Sequence, residues 1–168
     1  MFYEIVPQFS KMLHNLSTLL DRAQTLADQK KFDAENLLVA RLAPDQFTLL
    51  RQVQIACDTA KNFGAKLTGG EPPQHDDVEK TIPELKTRIQ RTIQYLESLK
   101  PAQFEGAMER KITNPRREGK YLPAEDFVQQ HAVPNFYFHV TTAYSILRHN
   151  GLDIGKKDYL GELNYRPL

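Results

Sequence analysis

The chain has 168 residues, with 22 Lys+Arg against 21 Asp+Glu, five His, one Cys and no Trp, a length that predicts a single domain over 1–168 with a real core. One cysteine excludes a disulfide framework and the Cys-based zinc modules, and a formal net charge of +1 leaves no electrostatic footprint for nucleic acid. No apolar run is long enough to span a membrane, and Met1-Phe2-Tyr3-Glu4-Ile5 lacks the basic and apolar stretches of a secretory signal, so a cytoplasmic protein is expected.

The first helix is predicted from about Tyr3 to Ala27. Ile5, Phe9, Met12, Leu16, Leu19, Ala23 and Leu26 recur every three or four residues, and Pro7 falls in the first turn, where a missing N–H costs little. A polar connector follows, in which Leu37-Leu38-Val39 reads as one helical turn. Pro44-Asp45 opens a second helix with the stripe Leu49, Val53, Ala56, Ala60, Phe63 and Leu67, ended by Gly69-Gly70. Thr81-Ile82-Pro83-Glu84 is a capping box that starts a third helix, faced by Leu85, Ile89, Ile93, Leu96 and Leu99. From Met108 to Thr113 the pattern alternates and Asn114-Pro115 turns the chain, which predicts a small β-hairpin. A fourth helix is expected from Ala124 to His149, kinked at Pro134 or effectively begun there, with Asn150-Gly151 as its left-handed stop. The tail, Leu152–Leu168, has no period and is expected to lie irregularly across the surface or against a partner subunit. Four amphipathic helices make an all-α four-helix bundle the economical fold.

Helical projection sorts the groups able to do chemistry. His14 faces away from the first stripe, His75 sits in the Pro/Gly-rich linker, and His131 and His149 fall on the polar side of the fourth helix. All four read as solvated. His139 lies on the shoulder of the apolar face, stacked with Asn135 and Thr142. Two readings stand for it: a histidine hydrogen-bonded inside the bundle, to Gln52 or a tyrosine, or a ligand or general base in an inter-helix cavity. Cys57, at the edge of the second stripe, reads as a small hydrophobe. Gln52 is the most inward polar group of its helix, while Arg51, Gln54, Asp58 and Lys61 read as a solvated face. Phe136-Tyr137-Phe138 covers nearly every direction around the fourth helix, which predicts burial on two sides. Arg116-Arg117 with Lys120 reads as a soluble basic loop.

Two blocks carry a resemblance. The stretch Ala40-Arg41-Leu42-Ala43-Pro44-Asp45-Gln46-Phe47 with Arg51-Gln52-Val53-Gln54-Ile55-Ala56, and the stretch from Pro134-Asn135-Phe136-Tyr137-Phe138-His139 to Asn150-Gly151, resemble the signatures of the bacterial DUF1993 family. That family is similar to the wider DinB/YfiT-like superfamily. The resemblance implies a four-helix bundle, often a homodimer. It also implies a divalent metal, nickel, zinc or iron, held by three histidines in many relatives, some of them thiol-dependent transferases or isomerases. Carried over position by position, the ligand set here reads Gln52, Asn135 and His139, of which only His139 is an imidazole. Amides are poor ligands for such ions. The expectation is therefore a protein without a cofactor, its degenerate site closed by hydrogen bonds or taking a small polar ligand, in a binding or structural role. The alternative is a metal-dependent enzyme that recruits a carboxylate, His131 or His14 beside His139. A homodimer is the expected partner state, with no nucleic-acid or membrane partner.

Overall fold

The computed structural model describes residues 2–167; Met1 and Leu168, the limits of the expected domain and tail, lie outside the described residues. In chain order the elements are α1 Ile5–Lys30, α2 Glu35–Leu38, α3 Leu49–Thr68, α4 Ile82–Ser98, β1 Lys111–Thr113, β2 Tyr121–Pro123, α5 Ala124–Asp126, α6 Val133–His149 and α7 Lys156–Leu160. Among the described residues there are thus seven α-helices rather than the four expected, because three short ones accompany the four long ones. Among the described residues no helix is long and apolar enough to cross a membrane.

The ends of the elements follow from local chemistry. Helix α1 continues past its apolar stripe to Lys30 and stops at Lys31, whose left-handed backbone returns its N–H to the carbonyl of Ala27. Helix α3 does not open at Pro44-Asp45. Those residues form a turn, with the N–H of Gln46 on the carbonyl of Ala43, and Thr48 is the cap, its hydroxyl accepting from the N–H of Arg51 at 3.4 Å. Helix α4 carries the capping box read from Thr81 and Glu84, with both reciprocal bonds formed. The hairpin pairs Ile112 with Leu122 and Thr113 with Tyr121.

The expected fourth helix is interrupted. A π-helical turn, Phe127–Ala132, separates α5 from α6, and Pro134 lies in the first turn of α6. Pro134 has no N–H for the carbonyl four residues back, and the wide turn before it absorbs the mismatch. The Asn150-Gly151 stop after α6 is formed as read, with Gly151 as its left-handed residue (φ 90°). The tail is more ordered than expected. Leu152 and Ile154 are buried, and α7 docks on α1 through Asn15, whose amide donates to the carbonyl of Tyr159 at 3.0 Å, and through the Arg22–Asp158 ion pair. Leu163 and Tyr165 stay exposed.

The long helices close a ring: α3 lies between α4 and α6, and α1 packs on α4 and α6. At its centre Phe9 stacks on Phe136 at 4.0 Å between centroids and meets Phe63 edge-on at 5.2 Å. Gly64 is the close approach of α3 to α4, since a Cβ there would stand 2.7 Å from Leu99 Cδ1. The aromatic run on α6 is covered on one side only: Phe136 is buried, whereas Phe138 is 56% exposed.

The α3 face expected to be solvated is not. Gln54 and Lys61 are buried, and so is Arg88 of α4. The guanidinium of Arg88 pairs with Asp58 at 2.7 Å, Asp77 at 3.0 Å and Glu79 at 3.0 Å. Lys61 pairs with Asp58, and Gln54 donates to Glu79. Residues 69–81 fold back over α3 and α4 so that their acids reach Arg88. Burial pushes the Glu79 carboxyl up, but the hydrogen bonds from Gln54 and Arg88 outweigh it and hold the pKa below the ordinary value. Arg88→Met is expected to destabilise the fold by roughly 3 kcal/mol, because it leaves several carboxylates facing one another without their cation. Urea denaturation measures this, and a loss under about 1 kcal/mol, the value of an exposed pair, would show that the cluster is only a surface ornament.

Candidate functional site

The seam between α3 and α6 carries the polar residues singled out by sequence. Gln52 lies in the first turn of α3 and is fully buried. Its Nε2 donates to the carbonyl of Phe47 at 3.1 Å, in the loop just before the helix. That bond fixes the amide so that Oε1 faces α6, 2.6 Å from His139 Nδ1. An amide oxygen only accepts, so Nδ1 carries the proton and Nε2 the lone pair. His139 is 6% exposed, and the ring of Phe138 stands edge-on to it at 5.2 Å. Burial, reinforced by the charge of Arg51, lowers the pKa of His139 from 6.5 to about 4. The imidazole is therefore neutral at neutral pH.

Asn135 is one turn earlier on α6 and is turned to a different partner. Its amide donates to the hydroxyl of Thr59 at 2.8 Å, and that hydroxyl donates to the carbonyl of Ile55 at 2.7 Å. Going back along α6 the partner moves forward along α3, so the two helices run antiparallel. The structure thus pairs Gln52 with His139 and gives Asn135 a different partner, Thr59.

As metal ligands these residues do not fit. Gln52 and Asn135 could offer only neutral amide oxygens, of which Gln52 Oε1 already accepts the Nδ1–H of His139, and only His139 Nε2 keeps a lone pair of the kind zinc or nickel prefers. Among the described residues no three His, Cys, Asp or Glu side chains form a group able to hold a metal ion. The residues considered as recruits stand elsewhere. His14 is exposed, with Nε2 3.6 Å from Glu97, and His131 is exposed and stacked on Phe127 at 5.7 Å. Cys57 is fully buried, and burial pushes its thiol up to about 12, so it is protonated and enclosed.

His75 differs from its reading as a solvated residue. Both ring nitrogens are buried without a partner, in a recess it lines with Glu79 and Arg88. Its pKa is lowered, by burial first and then by the charges of Lys61 and Arg88. A signal for that cluster exists in the sequence. Arg88 falls three residues after Leu85 and one before Ile89, on the apolar side of α4, and an inward arginine needs acids, which the linker supplies at Asp77 and Glu79.

The shift of His139 has a thermodynamic consequence. Its pKa is lower folded than unfolded, so between pH 6.5 and about 4 the unfolded chain binds the extra proton. Stability present above pH 6.5 is lost as the pH falls through that window, roughly 3 kcal/mol from this residue. His75 adds a slope of the same sign. In His139→Gln the dependence of unfolding free energy on pH over this range is expected to be shallower than in the unaltered chain, read by urea titrations at several pH values. Equal slopes would refute the assignment of a buried neutral imidazole.

Comparison with other proteins identifies the family. The family model described as domain of unknown function DUF1993 matches residues 1–160. The crystal structure of a DinB family member protein from Shewanella denitrificans is 53% identical, with a TM-score of 0.96 over 100% of this chain and 96% of that one. Among curated proteins none matches. A match over nearly the whole length, with a relative of this identity, places the chain in its family: it belongs to the DUF1993 family, among the DinB-like proteins.

Proposed function

We propose that the α3–α6 seam is a closed remnant of a metal site, and that the protein acts as a binding or structural homodimer rather than as a metal-dependent enzyme. The observation that carries this reading is the 2.6 Å bond between His139 Nδ1 and Gln52 Oε1. It ties the one remaining imidazole to a group that is a poor ligand, and the third position is another neutral amide, Asn135, held to Thr59 of α3. The exposed ring of Phe138 is the centre of the dimer face.

The test is metal analysis of protein purified without an affinity tag. The unaltered chain is expected to carry less than about a tenth of an equivalent of nickel, zinc or iron, whereas Gln52→His with Asn135→His gains a stoichiometric divalent ion, since three imidazoles restore a competent donor set. Stoichiometric metal in the unaltered chain that vanishes in His139→Ala would reverse the proposal. It would favour a second reading, an enzyme of the thiol-transferase or isomerase type with an altered ligand set. The observation favouring that reading is the tautomer, because a histidine that donates Nδ1–H to an oxygen and presents Nε2 has the usual posture of an oriented ligand. Light scattering checks the assembly: a dimer is expected, and Phe138→Lys is expected to give a monomer.

A further inference from the structure

A cleft lies at the opposite end of α3 from Gln52. Its floor is apolar: Ile112 and Leu122 are paired across the hairpin and so share one face, and Phe127 of the π-helical turn closes it. The cleft so formed measures about 790 Å³, within the range typical of small-molecule sites. Gln52 and Lys66 stand fourteen positions apart on α3, about 20 Å along the helix axis, so this cleft is separate from the His139 seam.

The walls are cationic. Lys66, Arg116, Arg117 and Lys120 line the cleft, and no carboxylate does. Glu118, the one acid of the same loop, borders the neighbouring recess instead. Among the described residues Arg116, Arg117 and Lys120 take part in no ion pair. This is notable in a chain whose charges otherwise balance to +1. The loop carrying them is ordered by its own backbone. Asn114 accepts from the N–H of Arg116 through its side chain and from that of Arg117 through its carbonyl, and the N–H of Lys120 returns to Arg117. Lys66 donates to the carbonyl of Thr113 at 2.7 Å and ties the hairpin to α3. Beside these charges, Tyr121 and Leu122 remain 51% and 38% exposed, and His131 lies flat against Phe127.

Unpaired cations beside uncovered apolar side chains have a specific complement. We propose that this cleft binds a small organic anion, a carboxylate, sulfonate or phosphate joined to an aromatic or alkyl body. The body covers Leu122 and the floor formed by Ile112 and Phe127, and the head meets the guanidinium groups, which suit planar two-point recognition of such heads. A nucleic-acid strand requires a basic groove that tracks its backbone, and a membrane surface takes a protruding apolar face. A concave site bounded by one loop fits neither.

The test is ¹H–¹⁵N NMR titration of the full chain with 1-naphthoate, with 1-naphthalenemethanol (the ring without the charge) and acetate (the charge without the ring) as matched probes. Naphthoate is expected to shift the amides of residues 112–122, Phe127 and His131, and to bind about tenfold more tightly than either control, weakening as salt screens the head. Arg116→Gln, Arg117→Gln and Lys120→Gln combined are expected to weaken naphthoate about tenfold while leaving the melting temperature unchanged, because all three side chains are exposed. Leu122→Asp removes the apolar half of the site and is expected to do the same. No shift in these residues at millimolar naphthoate, or equal affinity in the folded triple variant, would overturn the proposal. So would binding of a single-stranded oligonucleotide or of phosphatidylserine vesicles at this loop with none of naphthoate.

Discussion

A buried guanidinium has to be matched by acids, and Arg88 imposes that condition on the structure around it. It sits on the inner side of α4, where water cannot neutralise it, so Asp58 of α3 and Asp77 and Glu79 of the connector converge on it. This holds residues 69–81 against two helices without a hydrophobic anchor of their own. It also sets the position of Thr81, whose capping box begins α4 immediately afterwards. A connector rich in Gly and Pro would otherwise be a loose tether. Here its path is dictated by charge, and Lys61, Gln54 and Arg51 are drawn into the same arrangement as further partners.

The α3–α6 seam solves the opposite problem with neutral groups. Gln52 and His139 are complementary acceptor and donor, paired without a net charge in the core, and the Phe47 carbonyl decides which way the amide points. Asn135 and Thr59 repeat the device further along the seam. Two hydrogen-bonded pairs of this kind give the helices a register that apolar side chains alone would leave loose, since methyl groups pack at many offsets and a donor meets its acceptor at one. The seam therefore has a structural use whether or not anything binds there.

The parts of this fold that were legible in the sequence are those governed by neighbours close in the chain. The stripes of α1, α3 and α4, the Thr81–Glu84 box and the hairpin at Asn114-Pro115 all rest on spacings of a few residues. The inward direction of His139 and Gln52 follows from the same projection, which leaves Gln52 as one of several partners for the imidazole. What stayed hidden depends on groups distant in sequence. Thr48 lost to Pro44-Asp45 because a proline is a plain helix-start cue while a cap is recognised by its bond. His75 looked solvated because nothing local shows that the linker folds inward. The face of Gln54, Asp58 and Lys61 looked wet because its partner, Arg88, is on another helix. Helix α7 lacked a period because it is only five residues long and is held by Asn15 and Arg22 of α1 rather than by an apolar stripe.

The π-helical turn ahead of Pro134 has a consequence for how this chain tolerates change in length. A wide turn accommodates one residue more than an α-turn would, and each added residue rotates the hairpin side of the chain by about 100° relative to α6. Along the chain the hairpin and its basic loop join α6 through α5 and that turn. Deleting a single residue between Phe127 and Ala132 would let the helix run on regularly, but it would swing the hairpin through more than a quarter of a revolution. Lys66 would then no longer reach Thr113. Chains of this family that differ by one residue in this stretch would share the same helical core and present an entirely different surface at the end of α3.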